Sequence, residues 1–375
     1  MKTFTGDCSR NGAPSKELVT DDTALERIRR ILREKGCSDA EINAALDQDT
    51  LDLFAIERIF VPGQRRFTLA QVALDAGVSI DLVRKVWRAL GFVDVADDEV
   101  AFTDMDRVAL DLLASIVGLE FATVEQVLHG ARVIGSSMAR IAEATLGEDL
   151  DRLAQETSTL DDLAEFIATS EAGLSAQAQL MEFAWRHHIQ EATRRRLVHR
   201  DEGEGSHMRP VLTVGFADIV EFTALSLELS AAELTDVVQR FEEVSIDVVT
   251  DEGGRAIKMM GDEVLFAVDS TRSALRIGLR LADLYRHDEI VSNLRVGIAR
   301  GQVLPTDGDL FGPTVNLASR LVALGRPGKV LVASDVAETL DRNDGQEFAF
   351  GPIVRRNLKG VGEVVTRECR WADDS

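Results

Sequence analysis

Six polar residues in the C-terminal half of a 375-residue chain, Asp218, Lys258, Asp262, Asp309, Asn316 and Arg320, have the types and order suited to chemistry on a nucleoside triphosphate. Two carboxylates supply hard oxygen ligands, the usual protein contribution to Mg2+ bound together with phosphates. Two such ions activate an attacking oxygen and steady a leaving one. An arginine fork matches a phosphoryl group and keeps its charge at any physiological pH. Lysine, aspartate and asparagine add donors and acceptors for a base and a sugar. Taken singly, each aspartate has a plainer reading: a turn aspartate caps its own backbone, and a strand-end aspartate caps the next helix.

The elements that must position these residues follow from the apolar pattern. Residues 211–216 read as a buried strand ending at Asp218. Gly261-Asp262 is a turn dipeptide between the runs 255–259 and 264–268, so Asp262 is expected at a hairpin tip. If that tip lies beside the strand end, the two carboxylates converge. A helix is expected over about residues 230–250, where Leu234, Val237, Val238, Phe241, Val244 and Val248 recur at three- and four-residue spacing. A second helix over 270–286 and a strand over 294–300 complete a βαββαβ order. That order predicts an α+β, ferredoxin-like antiparallel sheet covered by helices. Asn316 and Arg320 lie four apart behind Gly312-Pro313, and so share one face of a helix that proline opens well. Their plain reading is an exposed helix pair.

Three strings carry a resemblance: Phe216-Ala217-Asp218-Ile219-Val220-Glu221-Phe222-Thr223, Lys258-Met259-Met260-Gly261-Asp262-Glu263, and Asp309-Leu310-Phe311-Gly312-Pro313-Thr314-Val315-Asn316-Leu317-Ala318-Ser319-Arg320. In order and spacing they resemble the class III nucleotidyl cyclases. The likeness runs from about residue 209 to 371 and takes in Val296-Gly297-Ile298-Ala299-Arg300-Gly301 and Leu358-Lys359-Gly360. It implies that Asp218 and Asp262 bind two Mg2+ or Mn2+ ions, with the backbone carbonyl of Ile219 as a further ligand. It implies that Phe222 and Thr223 bind substrate and that Lys359 contacts the terminal phosphates. A surface lysine in a C-terminal hairpin is the plain alternative for Lys359.

The resemblance further implies that Lys258 and Asp309 read the base. Adenine offers an acceptor at N1 and a donor at its amino group, which suit a lysine donor and an aspartate acceptor, whereas guanine reverses the pattern. Guanylate-forming relatives generally carry an acidic residue and a small or thiol-bearing one at these positions, so this pair favours ATP over GTP. Asn316 would orient the ribose, and Arg320 would stabilise charge on the phosphoryl group as the 3′ oxygen attacks the α-phosphorus. In this family the metal-binding pair of one chain faces the remaining four residues of another, so a head-to-tail homodimer is implied. Glu221 departs from the pattern, standing where many relatives have glycine in the turn that cradles phosphates. A carboxylate there either repels a triphosphate or binds metal.

Length and composition suit two or three domains around ordinary cores, with 45% hydrophobic residues. We expect a flexible N-terminus over residues 1–21, a helical regulatory domain over 22–196, a linker over 197–209 and a catalytic domain over 210–372. No membrane span or signal region is expected, and three cysteines without metal-ligand spacing point to a reducing cytoplasm. The formal charge of −22 opposes a nucleic-acid partner for the whole chain. Residues 67–87 nevertheless read as a helix-turn-helix with Thr68 and Ser79 as caps and Arg84, Lys85 and Arg88 as the phosphate contacts of a DNA-binding alternative. The preferred reading is a helical bundle that reuses this turn.

A helical region ahead of a single cyclase domain also resembles the actinobacterial soluble cyclases whose N-terminal region senses pH. His187, His188 and His199 gather near the junction, and histidine alone titrates near neutrality without help. The expectation is therefore an adenylate cyclase that is regulated by its N-terminal region, with pH as the candidate signal. The alternatives are a guanylate cyclase and a catalytically weak cyclase-like dimer with a DNA-binding role.

Overall fold

The computed structural model describes residues 16–118, 122–153, 159–198, 209–288, 290–291, 293–340, 344–358 and 360–373. It divides into two compact units, residues 1–192 and 193–375. The flexible N-terminus expected over 1–21, most of the linker expected over 197–209, and the candidate residues His199 and Lys359 lie wholly or partly outside the described residues.

Among its described residues the first unit is helical apart from one short strand pair, which the sequence pattern does not reveal. Helices α1 (Lys16–Glu34), α2 (Asp39–Asp47) and α3 (Leu51–Phe60) bury Ile28, Leu32, Ile42 and Ala55 against Ala164 and Ile167 of α8 (Leu160–Val198). Between them, β1 (Phe67–Thr68) pairs with β2 (Val100–Phe102) and flanks α4 (Leu69–Asp75) and α5 (Ile80–Ala89). Helices α6 (Asp104–Gly118) and α7 (Val124–Leu153) follow.

Thr68 and Ser79 do cap α4 and α5, accepting from Gln71 and Leu82 N–H groups as a helix-turn-helix requires. The basic face of α5 is already engaged, however. Arg84 is paired with both Asp94 and Asp97, Arg88 with Asp94, and Lys85 with Asp81 at 2.7 Å. Phosphates would have to displace carboxylates of the same chain, so the geometry favours the bundle reading.

In the second unit the elements run β3 (Val211–Ile219), α9 (Phe222–Glu228), α10 (Ala231–Asp251), β4 (Arg255–Met259), β5 (Glu263–Val268), α11 (Thr271–Leu284) and β6 (Leu294–Gln302). This is the expected βαββαβ core, with strand order β6-β3-β5-β4. Ser230 and Glu233 close a capping box at the start of α10, whose Val237, Phe241 and Val248 are buried as the spacing predicts. The chain continues through β7 (Leu304–Thr306), β8 (Asp309–Phe311), α12 (Pro313–Leu324), β9 (Lys329–Ala333), α13 (Ser334–Glu338), β10 (Phe348–Phe350), β11 (Val354–Leu358) and β12 (Gly362–Trp371).

Strands β9, β12, β10 and β11 extend the core sheet to eight strands. The sheet is mixed rather than purely antiparallel, because β9 runs parallel to β6. A parallel neighbour needs a crossover, and α12 supplies it. Helix α12 lies tightly on β6 at Gly297, where an added Cβ would come within 2.3 Å of the Val322 nitrogen. Among the described residues no helix is long and apolar enough to cross a membrane.

Candidate active site

The two carboxylates converge because of sheet register. Strand β3 pairs antiparallel with β5 so that Asp218 stands opposite Glu263, and with β6 so that Asp218 stands opposite Arg295. The β4–β5 hairpin turns through Gly261, whose φ of 70° suits a residue without a Cβ. The Ile219 N–H donates to the Asp262 carbonyl at 2.9 Å, fastening the hairpin tip to the end of β3. Asp218 and Asp262 are thereby neighbours, and both are partly buried.

Electrostatics at this corner are crowded. Arg295 donates to Asp218. Burial pushes the Asp218 carboxyl up from its ordinary range, Arg295 pulls it back, and the Asp262 charge pushes it up again. Burial likewise raises Glu263 to about 7, helped by the charges of Asp218 and Asp262. Neither Arg295 nor Glu263 was singled out from sequence. Their signal is visible only once strand register is known: Arg295 lies 77 positions from Asp218, and Glu263 meets Asp218 by standing opposite it on β5.

The Glu263 shift has a stability consequence. Its acid form is favoured in the folded chain, so between the ordinary carboxylate pKa and about 7 the native state holds a proton that the unfolded chain has lost. Stability should therefore fall as pH rises through that window. The expected loss between pH 5 and pH 8 is on the order of 1–2 kcal/mol, discounted for partial solvent access. Denaturant melts in chelator-treated buffer should reveal this slope in the native protein. In Glu263→Gln the slope should flatten, and an unchanged slope would contradict the assignment.

On the other side of the hairpin, Lys258 of β4 and Asp309 of β8 meet. The lysine Nζ lies 3.2 Å from Asp309 Oδ2, while Asp309 Oδ1 accepts the Leu310 N–H at 2.8 Å. A donor and an acceptor thus stand side by side at an exposed edge. Pro313 opens α12 behind Gly312, and Asn316 and Arg320 lie on its exposed face while Val315, Ala318 and Leu321 face the core. No ion pair holds Arg320 among the described residues. The plain reading of an exposed pair therefore describes their location, and their exposure leaves both available.

Phe222 packs its ring against the core and Thr223 is exposed, with its carbonyl accepting from Ser226 at 2.9 Å. Glu221 has φ of 61° and is exposed, with no side-chain bond capping α9. That left-handed conformation costs a residue with a Cβ roughly 1–2 kcal/mol. His187 and His188 are exposed on α8, with the His187 ring tilted against Phe183 at a centroid distance of 4.4 Å. A cleft of about 260 Å³ lined by Arg209, Val303, Phe311 and Pro313 opens beside β7–β8, and none of the six candidate residues lines it.

Among the described residues no cluster of three or more His, Cys, Asp or Glu side chains is arranged to hold a metal ion. The donor set is instead two adjacent carboxylates, which fits a hard divalent cation that completes its coordination with phosphate oxygens and water.

Comparison with known proteins finds relatives along most of the chain. The family described as Adenylate and Guanylate cyclase catalytic domain matches residues 206–367. An adenylate cyclase of Streptomyces coelicolor is 34% identical over 340 residues, covering 82% of this chain and 87% of its own. An adenylate cyclase of Glutamicibacter nicotianae is 31% identical over 371 residues, covering 95% and 90%. A pH-sensitive adenylate cyclase of Mycobacterium tuberculosis is 30% identical over 299 residues, covering 77% and 75%. With the matched domain enclosing the converged aspartates and relatives aligned along most of the chain, this protein belongs to the class III adenylate and guanylate cyclases.

Proposed function

We propose that the chain is an adenylate cyclase, converting ATP to 3′,5′-cyclic AMP and pyrophosphate at sites shared between two copies. The observation that carries the choice of ATP is the Lys258–Asp309 pair, a donor beside an acceptor matching adenine N1 and its amino group. Asp218 and Asp262, with the Ile219 carbonyl, would hold two Mg2+ or Mn2+ ions. When bound, such ions supply Lewis acidity at the phosphates and lower the pKa of the ribose 3′ hydroxyl. Asn316 orients the ribose so that its 3′ oxygen lines up with the α-phosphorus. Arg320 meets the charge that grows on the phosphoryl oxygens. Lys359 is assigned to the terminal phosphates by family resemblance alone.

Exposed apolar side chains support the second copy. Leu227 on α9, Met260 at the hairpin tip, and Leu304 and Phe311 on the β7–β8 ribbon are 85%, 37%, 47% and 49% exposed around the site elements. A second copy arranged head to tail would cover such residues.

The N-terminal unit is assigned a regulatory role, with acidification relieving inhibition through His187, His188 and His199 at the junction. The likeness to a pH-sensitive relative supports this. One assay series tests the whole reading: products from ATP and GTP side by side with Mn2+, on the full chain and on residues 208–375, from acidic to neutral pH. Cyclic AMP from ATP, and a pH response confined to the full chain, are expected. Cyclic GMP as the main product would replace the substrate assignment, and identical pH profiles would remove control by the N-terminal unit.

A further inference from the structure

Arg295 stands on β6 directly opposite Asp218, which stands on β3 directly opposite Glu263. Residues directly opposite one another on neighbouring strands put their side chains on the same face of the sheet. One guanidinium thus faces two carboxylates in a single row across three strands, and the Asp262 backbone is tied to the next residue of β3. The Asp218 side chain is 15% exposed and that of Arg295 is 30% exposed, so water screens the pair only in part. Arg295 Nη2 donates to Asp218 Oδ2. Its Nε is buried without a hydrogen-bond partner among the described residues. Among the described residues, Asp218 is the hydrogen-bond partner shown for the guanidinium.

We propose that Arg295 is the resident cation of this carboxylate corner, a positioning residue that fixes Asp218 in the metal-free protein and lowers the affinity of the site for a free divalent ion. The inference rests on the reading of Asp218 and Asp262 as the metal-binding pair. A divalent ion approaching this corner meets an oxygen already engaged by Arg295 and a fixed positive charge beside it. Both effects oppose loading by the ion alone. The carboxylates in turn are kept from repelling one another while no ion is present. Charge rather than shape is the operative property, because lysine can stand at the same register position and guanidinium geometry is not what repels a cation.

The test measures Mn2+ binding to the full chain without nucleotide, by the electron paramagnetic resonance signal of free Mn2+, alongside the melting temperature. Arg295→Gln removes the charge and should tighten Mn2+ roughly five- to tenfold while lowering the melting temperature of the metal-free protein. Arg295→Lys keeps the charge and should leave Mn2+ affinity within about twofold, since the nearby positive charge is the term being tested. Should Arg295→Gln fail to fold, Arg295→Met serves as the neutral variant with the same expected gain. A purely structural role would lower melting temperatures without tightening Mn2+. Weaker or unchanged Mn2+ binding in the neutral variants therefore overturns the inference. Asp262→Ala should abolish Mn2+ binding. If it does not, the metal reading fails separately from the role of Arg295. Absence of Mn2+ binding by the native chain and the neutral variants alike overturns both.

Discussion

Two inactive variants, Asp218→Ala and Arg320→Ala, are expected to regain activity when mixed. Each alone should lose on the order of 100- to 1000-fold in turnover, the usual cost of removing a group that meets developing charge or holds a catalytic ion. In the proposed head-to-tail dimer every site would take Asp218 and Asp262 from one copy and Lys258, Asp309, Asn316 and Arg320 from the other. A homodimer of either variant has two damaged sites. A mixed dimer collects both lesions in one site and leaves the other intact. With random exchange about half of the dimers are mixed, so recovery should approach about a quarter of native activity. The readout is cyclic AMP formation against mixing ratio, with dimer content followed by light scattering. Dimers that form without recovered activity would sink the shared-site model. Recovery would also exclude a site completed within one chain.

The placements of Asp262, Asn316 and Arg320 were legible in the sequence because local chemistry sets them, whereas their roles came from the family resemblance. Gly261-Asp262 is a turn dipeptide wherever it occurs between two apolar runs, and the three- and four-residue spacing of Leu234 to Val248 fixes a buried face of α10. Pro313 marks the start of α12, and the spacing of Asn316 and Arg320 puts both on its outer side. Arg295 and Glu263 were not legible, because their meaning lies in register. A strand displaced by one residue would turn both away from Asp218, and nothing local to either residue sets that displacement. The parallel β6–β9 pairing was missed for a related reason. Its partner strand is separated by a ribbon and a helix, and the expected antiparallel sheet covered only the βαββαβ core, where the pairing is indeed antiparallel. In the first unit, the helix-turn-helix was read correctly from its caps. The pairing of its arginines with Asp94 and Asp97 depends on how the following loop folds back.

Reversing the hydrogen-bond pattern of the base readers should reverse nucleotide preference. Lys258 presents a donor and Asp309 an acceptor. The double substitution Lys258→Glu with Asp309→Cys offers an acceptor to guanine N1–H and removes the carboxylate that would face guanine O6. Sites that hydrogen-bond a substrate reject a mismatched one by about 10⁴ to 10⁵, because buried polar groups are left unpaired. The ratio of kcat/KM for ATP to that for GTP should therefore fall by at least about 1000-fold in the double variant. Stability should barely change. The Lys258 and Asp309 side chains are 49% and 26% exposed, and an ion pair of that kind contributes about 0–1 kcal/mol. Melting temperature thus separates base reading from folding. A double variant that folds and dimerises yet keeps its preference for ATP would show that other groups read the base. Asp309→Ala sharpens the comparison, since it removes the acceptor while Lys258 remains. It should lose activity on ATP while gaining little on GTP, because no new acceptor is supplied for guanine.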